Sequence, residues 1–256
     1  MKPSLIAVAI LLAAAPHAPA GWIEKSSRSE NATAPGVVHR QVQLEDPATS
    51  DGATVELALF SAKSNMVRVI DNPNGSSDLA AAMPASGCLA GVNGGYFDPN
   101  FGPLGLRIID GRMIRPLVRA RLLTGVLISS PESTQIVRTG EYSRRRNPYS
   151  ALQCGPLLVD AGRPVKGLDG TRTARRTFAV VGSDRAALGL CSEVSLAQLS
   201  QILATAPLAG ADFKVQRALN LDGGSSSGFW FSRANGSAFS ISELKTVRDF
   251  VGIATK

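Results

Sequence analysis

Thr177-Phe-Ala-Val-Val-Gly-Ser-Asp-Arg-Ala-Ala-Leu-Gly-Leu-Cys191 reads as two apolar runs, 177–181 and 186–191, folded back on each other across Gly182-Ser183-Asp184-Arg185. β-Branched and apolar residues bounded by turn formers are the signature of an antiparallel hairpin. Working outward, Asp110-Gly111 between the runs 106–109 and 113–118 repeats the signal, because a two-residue hairpin turn needs positive φ at both central positions. Further β-rich runs occupy 53–60, 66–70 and 122–128. The clearest helix starts at Ser195, whose hydroxyl caps the first turn with Gln198 three residues on; Leu196, Leu199, Ile202 and Leu203 form one face, and Pro207 and Gly210 end it. A shorter helix is predicted over 77–83. These elements predict an α+β fold, a largely antiparallel mixed sheet system with few helices in a single domain over 46–256. The polar stretch 21–45 is expected to be a loose lead-in or an edge strand.

The first twenty residues stand apart. Lys2, an uncharged apolar run over 5–15 and Ala18-Pro19-Ala20 form a secretory leader, expected to be cut after Ala20. Pro16 and His17 interrupt the run well short of the roughly 20 apolar residues that a spanning helix needs, so no stable membrane insertion is expected. The mature protein is therefore expected to be periplasmic or secreted. Cys88, Cys154 and Cys191 allow at most one disulfide; three buried thiols are an equal reading. The net charge of +7 is carried largely by arginine, clustered at Arg144, Arg145, Arg146 and at Arg172, Arg175, Arg176. Anionic small molecules suit this surface. Nucleic acid does not, since aromatics make up only 5% of residues and do not alternate with the basic positions.

Three segments are dense in glycine and short polar groups: Gly91-Val-Asn-Gly-Gly-Tyr-Phe-Asp98, Gln153-Cys-Gly-Pro156 and Ala218-Leu-Asn-Leu-Asp-Gly-Gly-Ser-Ser-Ser227. Glycine lets a ligand approach the main chain while Asn, Asp and Ser present donors and acceptors at strand ends, so the three predict a shared polar cleft. Gly224-Ser225-Ser226-Ser227-Gly228 matches a nucleophile elbow, but no histidine follows it, and His39 precedes it. A serine triad of that order is excluded. One mature histidine and three scattered cysteines give no zinc spacing. No metal site or cofactor is predicted, and a carboxylate-held Ca²⁺ or Mg²⁺ stays open. What remains is carboxylate, amide, hydroxyl and guanidinium chemistry, the set used in glycosyl transfer to water.

In matching order from Cys88 to the C-terminus, Asn93-Gly94-Gly95-Tyr96-Phe97, Pro103-x-Gly105 with Asp110-Gly111, Gly155-Pro156, Arg176-Thr177 and Asn220-Leu221-Asp222-Gly223-Gly224-Ser225 resemble the phosphodiester glycosidase family. The resemblance implies a hydrolase cleaving the sugar-to-phosphate bond of a glycosyl phosphodiester, such as a cell-envelope glycan or glycolipid. It places the site at Asn93, Gly94, Gly95, Arg176, Asn220, Asp222, Gly223, Gly224 and Ser225. Within that set Asp222 is expected to serve as base or to stabilise an oxocarbenium-like transition state, and Arg176 to bind phosphate. Asn93 and Asn220 would hold sugar hydroxyls or an N-acyl group, and the glycines would turn backbone N–H groups toward the anion. A phosphate is already a good leaving group, so arginines can replace part of a general acid's role. Tyr96 departs from a phenylalanine frequent in the family, and Ser226-Ser227 from a glycine-rich continuation. A non-catalytic sugar-phosphate-binding module and a metal-dependent phosphodiesterase are the competing readings.

Overall fold

The computed structural model describes residues 21–143, 145, 147–210 and 213–256; the expected leader, Arg144 and Arg146 lie outside the described residues. Along the chain run β1 (Ile23–Asn31), β2 (Val37–Asp46), β3 (Asp51–Ser61), β4 (Asn65–Asp71), α1 (Leu79–Ala85) and β5 (Ala90–Asn93). Then follow β6 (Arg107–Ile109), β7 (Arg112–Arg115), β8 (Gly125–Ser129), β9 (Thr134–Arg138), β10 (Ser150–Cys154), β11 (Leu157–Asp160) and β12 (Arg163–Pro164). The last third holds β13 (Ala174–Val181), β14 (Arg185–Val194), α2 (Leu196–Thr205), β15 (Arg217–Asn220), β16 (Phe229–Ser232), β17 (Ala238–Ile241) and β18 (Asp249–Thr255).

Among the described residues these strands form three sheets: β1-β2-β3-β14-β13-β15-β11-β12, β7-β6-β10-β8-β9 and β17-β16-β5-β18-β4. The expected α+β fold with few helices is the one observed. β13 and β14 pair antiparallel across the turn at 182–185, and Asp110 and Gly111 take φ of 48° and 76° between β6 and β7. The strand expected to reach Val118 stops at Arg115, because Pro116 has no N–H to continue the ladder. Ser195 caps α2 as predicted, its hydroxyl accepting from the Gln198 N–H while the Gln198 side chain accepts from the Ser195 N–H. Residues 21–45 are no loose lead-in. β1 is the edge strand of the large sheet, and β2 lies inside it with Val37, His39, Val42 and Leu44 buried.

One apolar core sits where the three sheets face one another, joining Phe60, Leu188 and Leu219 of the large sheet to Val92, Phe229 and Val251 of one five-stranded sheet and Leu127 and Leu152 of the other. The outer face of the large sheet is covered by α2 through Leu199, Ile202 and Leu203; fully burying each contributes about 1.5–3 kcal/mol. α1 covers the sheet containing β5 with Leu79 and Met83. The three cysteines are free and buried, so of the two readings the three buried thiols are the one observed. Burial pushes their thiols up, to about 11 for Cys88 and about 12 for Cys154 and Cys191. No helix among the described residues is long and apolar enough to cross a membrane.

Candidate active site

β5 ends at Asn93, β13 starts at Ala174 and β15 ends at Asn220, so the three glycine-rich or arginine-bearing segments open at one place where two sheets meet. Asn93 is fully buried and ties them together. Its Nδ2 donates to the Asp222 carbonyl at 2.7 Å, and its Oδ1 accepts from the Thr177 hydroxyl at 2.7 Å and the Gly228 N–H at 3.1 Å. The Asp222 N–H in turn donates to the Gly94 carbonyl. An amide so fully engaged positions the loop and has no capacity left for a sugar hydroxyl, a correction to the role inferred from sequence.

Asp222 is mostly buried, and burial raises its carboxyl above the usual range. Two local donors and a cation oppose that shift: the Ser226 hydroxyl reaches Oδ2 at 2.6 Å, the Gly223 N–H reaches Oδ1 at 3.0 Å, and Lys245 adds positive charge. Among the described residues no arginine or lysine forms an ion pair with Asp222. Arg176 lies near the adjacent Gly223, where an added Cβ would stand 4.0 Å from Arg176 Nη1. Its Nε and Nη2 donate to the carbonyls of Val194 and Arg172, which fixes the guanidinium plane. Burial lowers the proton affinity of Arg176, and an anion bound there would reverse that effect. Arg175 does not alternate cleanly with its neighbour. A register shift between Ala174 and Arg176 breaks the strand's two-sided pattern, and both arginines are half-buried.

The glycines divide by role. A Cβ on Gly94 would come within 1.8 Å of an Asp249 carboxylate oxygen, and one on Gly95 within 2.1 Å of Arg107 Nη2. These positions must be glycine because a buried ion pair passes directly beneath them, Arg107 Nε to Asp249 Oδ2 at 2.7 Å. The N–H groups of Gly94 and Gly95 donate to the Asp249 carbonyl and carboxylate, so they do not face a ligand as expected. The Gly223 N–H is likewise taken by Asp222. The N–H groups of Gly224 and Ser225, at the start of the 3₁₀ turn Gly224–Ser226, have no acceptor among the described residues. Ser225 is exposed, and it is Ser226, outside the site set implied by the resemblance, that holds the carboxylate.

Tyr96 and Lys245 also belong to the site without having been singled out for it. Tyr96 donates to the Gly155 carbonyl at 2.7 Å and accepts from Asn220 Nδ2 at 3.0 Å. Burial raises its hydroxyl pKa strongly, and it feels both Asp222 and Arg176. Asn220 is buried with Nδ2 committed to protein acceptors, while its Oδ1 has no partner among the described residues. Lys245 is exposed and stands 4.9 Å above the Phe97 ring. Asp98 binds the N–H groups of Asn100 and Gly102 as a turn former. Among the described residues no group of three or more His, Cys, Asp or Glu side chains is arranged to hold a metal ion.

The phosphodiester glycosidase family model matches residues 86–254, which takes in every site segment above. Among solved structures the chain is similar to the zebrafish N-acetylglucosamine-1-phosphodiester alpha-N-acetylglucosaminidase catalytic domain auto-inhibited by its pro-peptide, with a TM-score of 0.64 and 16% identity over 90% of this chain and 88% of that one. At that identity the likeness carries the fold. Comparison with curated proteins returns no match. Since the family model spans both strand ends that flank Asp222 and the β13 start that carries Arg176, the chain belongs to the phosphodiester glycosidase family and is a hydrolase of sugar phosphodiesters.

Proposed function

We propose that this enzyme is exported and cleaves the bond between an anomeric carbon and a phosphate oxygen, with Asp222 as base and Arg176 and Lys245 as the phosphate-binding cations. The observation that carries the reading is a mostly buried carboxylate that feels the charge of Lys245 and forms no ion pair among the described residues, with Arg176 near the adjacent Gly223. Asp222 withdraws a proton from water, the water oxygen bonds to the anomeric carbon, and the bond from that carbon to the phosphate oxygen breaks, its electron pair leaving on the phosphate monoester. Burial lifts the carboxyl toward working pH, which improves it as a base. The cations neutralise charge developing on the leaving oxygens. Export rests on Lys2, the apolar run over 5–15 and Ala18-Pro19-Ala20.

Hydrolysis of a glycosyl phosphodiester in heavy-oxygen water, with and without chelator, tests this reading. Label in the free sugar, unaffected by chelator, is expected. Label in the phosphate would mark phosphorus–oxygen cleavage and overturn it. Binding of the diester with no product after long incubation would mark a binding module instead.

A further inference from the structure

Beyond the site, β7 and the loop that follows present an unusual surface. Met113, Ile114, Val118 and Leu122 are exposed, with Leu122 half open to solvent, and they alternate with the exposed Arg112, Arg115, Arg119 and Arg121. Exposed apolar residues grouped and rimmed by basic ones mark an interaction surface more often than a plain solvated one. Val118 and Leu122 also line a groove of about 540 Å³, together with Tyr96, Phe97, Leu104 and Leu123. Among the described residues, Arg115 is its one charged lining residue.

The groove shares two walls, Tyr96 and Phe97, with residues that touch the candidate site. Its Tyr96 wall ends in the hydroxyl that bonds Gly155 and Asn220 beside Asp222, and its Phe97 wall carries Lys245. Its outer wall is held from below by the fully buried Gln153, which donates to the carbonyls of Val118 and Leu123 and accepts from the Val118 N–H. A phosphate held by Lys245 above the Phe97 ring would thus have a preformed apolar groove on the Tyr96–Phe97 side. A carbohydrate aglycone would find one charged side chain there and no array of side-chain amides or carboxylates.

We infer that the alcohol esterified to the phosphate is a long hydrocarbon alcohol, whose chain lies in the groove between Tyr96 and Leu122, and that the arginines of 112–121 face the anionic lipid surface from which the substrate is drawn. The inference rests on the glycosidase reading for its chemistry. The products are the free sugar and an alkyl phosphate monoester, with one water consumed. Burial of methylenes drives the selectivity, and the arginines add attraction to anionic headgroups.

The experiment compares one sugar 1-phosphate esterified to methanol and to hexadecanol, the latter in phosphatidylcholine vesicles with and without phosphatidylglycerol. We expect at least a tenfold higher kcat/KM for the hexadecyl diester, a further rise in the anionic vesicles, and collapse of the ratio in Leu122→Asn and Val118→Asn. A wild-type ratio near one, or a ratio untouched in both variants, overturns the inference. Should neither diester be cleaved, the glycosidase reading fails, and calorimetry with hexadecyl phosphate then decides the groove separately. Binding weakened at least tenfold by Leu122→Asn supports it; no binding, or equal binding to a protein partner's apolar peptide, overturns it.

Discussion

Arg107 and Asp249 meet at 2.7 Å with each side chain only 1% exposed, directly under the Gly94-Gly95 turn. Arg107 Nη1 also donates to the carbonyls of Leu104, Leu106 and Gln153, so the pair is fully supported by hydrogen bonds. Such a pair adds little over an apolar replacement of both partners, but removing one leaves a buried charge without a counterpart. Arg107→Met is expected to cost about 3–5 kcal/mol and to lower the melting temperature by roughly 10 °C. Thermal unfolding followed by circular dichroism checks the figure. A loss within error of zero would show that Asp249 finds solvent in the variant.

Asp222→Asn should lower turnover by on the order of 10²–10⁴-fold while making the protein more stable near neutral pH. The sign follows from the raised carboxyl. A carboxyl that holds its proton more tightly when folded weakens the fold at pH above its folded value, and that penalty disappears below the ordinary carboxylate range. The gain in melting temperature should therefore shrink as pH falls through the carboxylate range. Unfolding curves at several pH values measure it, and a destabilised variant at pH 7 would contradict the account.

Lys245→Met tests the cation that opposes this shift. Activity of the base requires the deprotonated form, so the acid limb of kcat/KM marks the carboxyl in the free enzyme. Removing Lys245 should move that limb to higher pH. An unmoved limb, with only KM changed, would confine Lys245 to phosphate binding.

Arg176→Ala should reduce kcat/KM for the phosphodiester by roughly ten- to a hundredfold, the loss of a hydrogen bond to a charged group. Arg176→Lys should recover little, because the carbonyls of Val194 and Arg172 orient a planar fork that an ammonium does not reproduce. Equal activity of the lysine variant and the parent would show that charge alone suffices.

His39 offers a stability test far from the chemistry. Its two ring nitrogens lie 2.9 and 2.7 Å from Glu30 and Glu56, and Phe229, Phe231 and Phe239 surround the ring. His39→Leu leaves the buried Glu56 with Gln41 as its side-chain partner among the described residues and should cost about 3 kcal/mol or more. Chemical denaturation reads the loss directly.

This histidine also shows where sequence reading stops. The hairpins at 110–111 and 182–185 and the cap at Ser195 were legible because turn and cap chemistry is local. β2 was not, since its inward positions include His39 and its half-buried ones Gln41, which score as polar although they point into a network. The site divides in the same way. The glycine-rich strand ends are visible as composition, and Asp222 and Arg176 through the family resemblance. The pairing of Arg107 with Asp249, 142 positions apart, was not, so Gly94 and Gly95 were assigned to the ligand when they make room for that pair. Ser226, four residues after Asp222, was hidden by its two serine neighbours until the 3₁₀ turn showed which of the three faces the carboxylate.

The single amide of Asn93 clasps a strand end from one sheet, a strand from another and the loop bearing Asp222, so the candidate site exists only where the two layers are docked. A chain with either layer undocked has the right residues and no reaction centre. Enzymatic turnover is accordingly expected to track the docking of these layers.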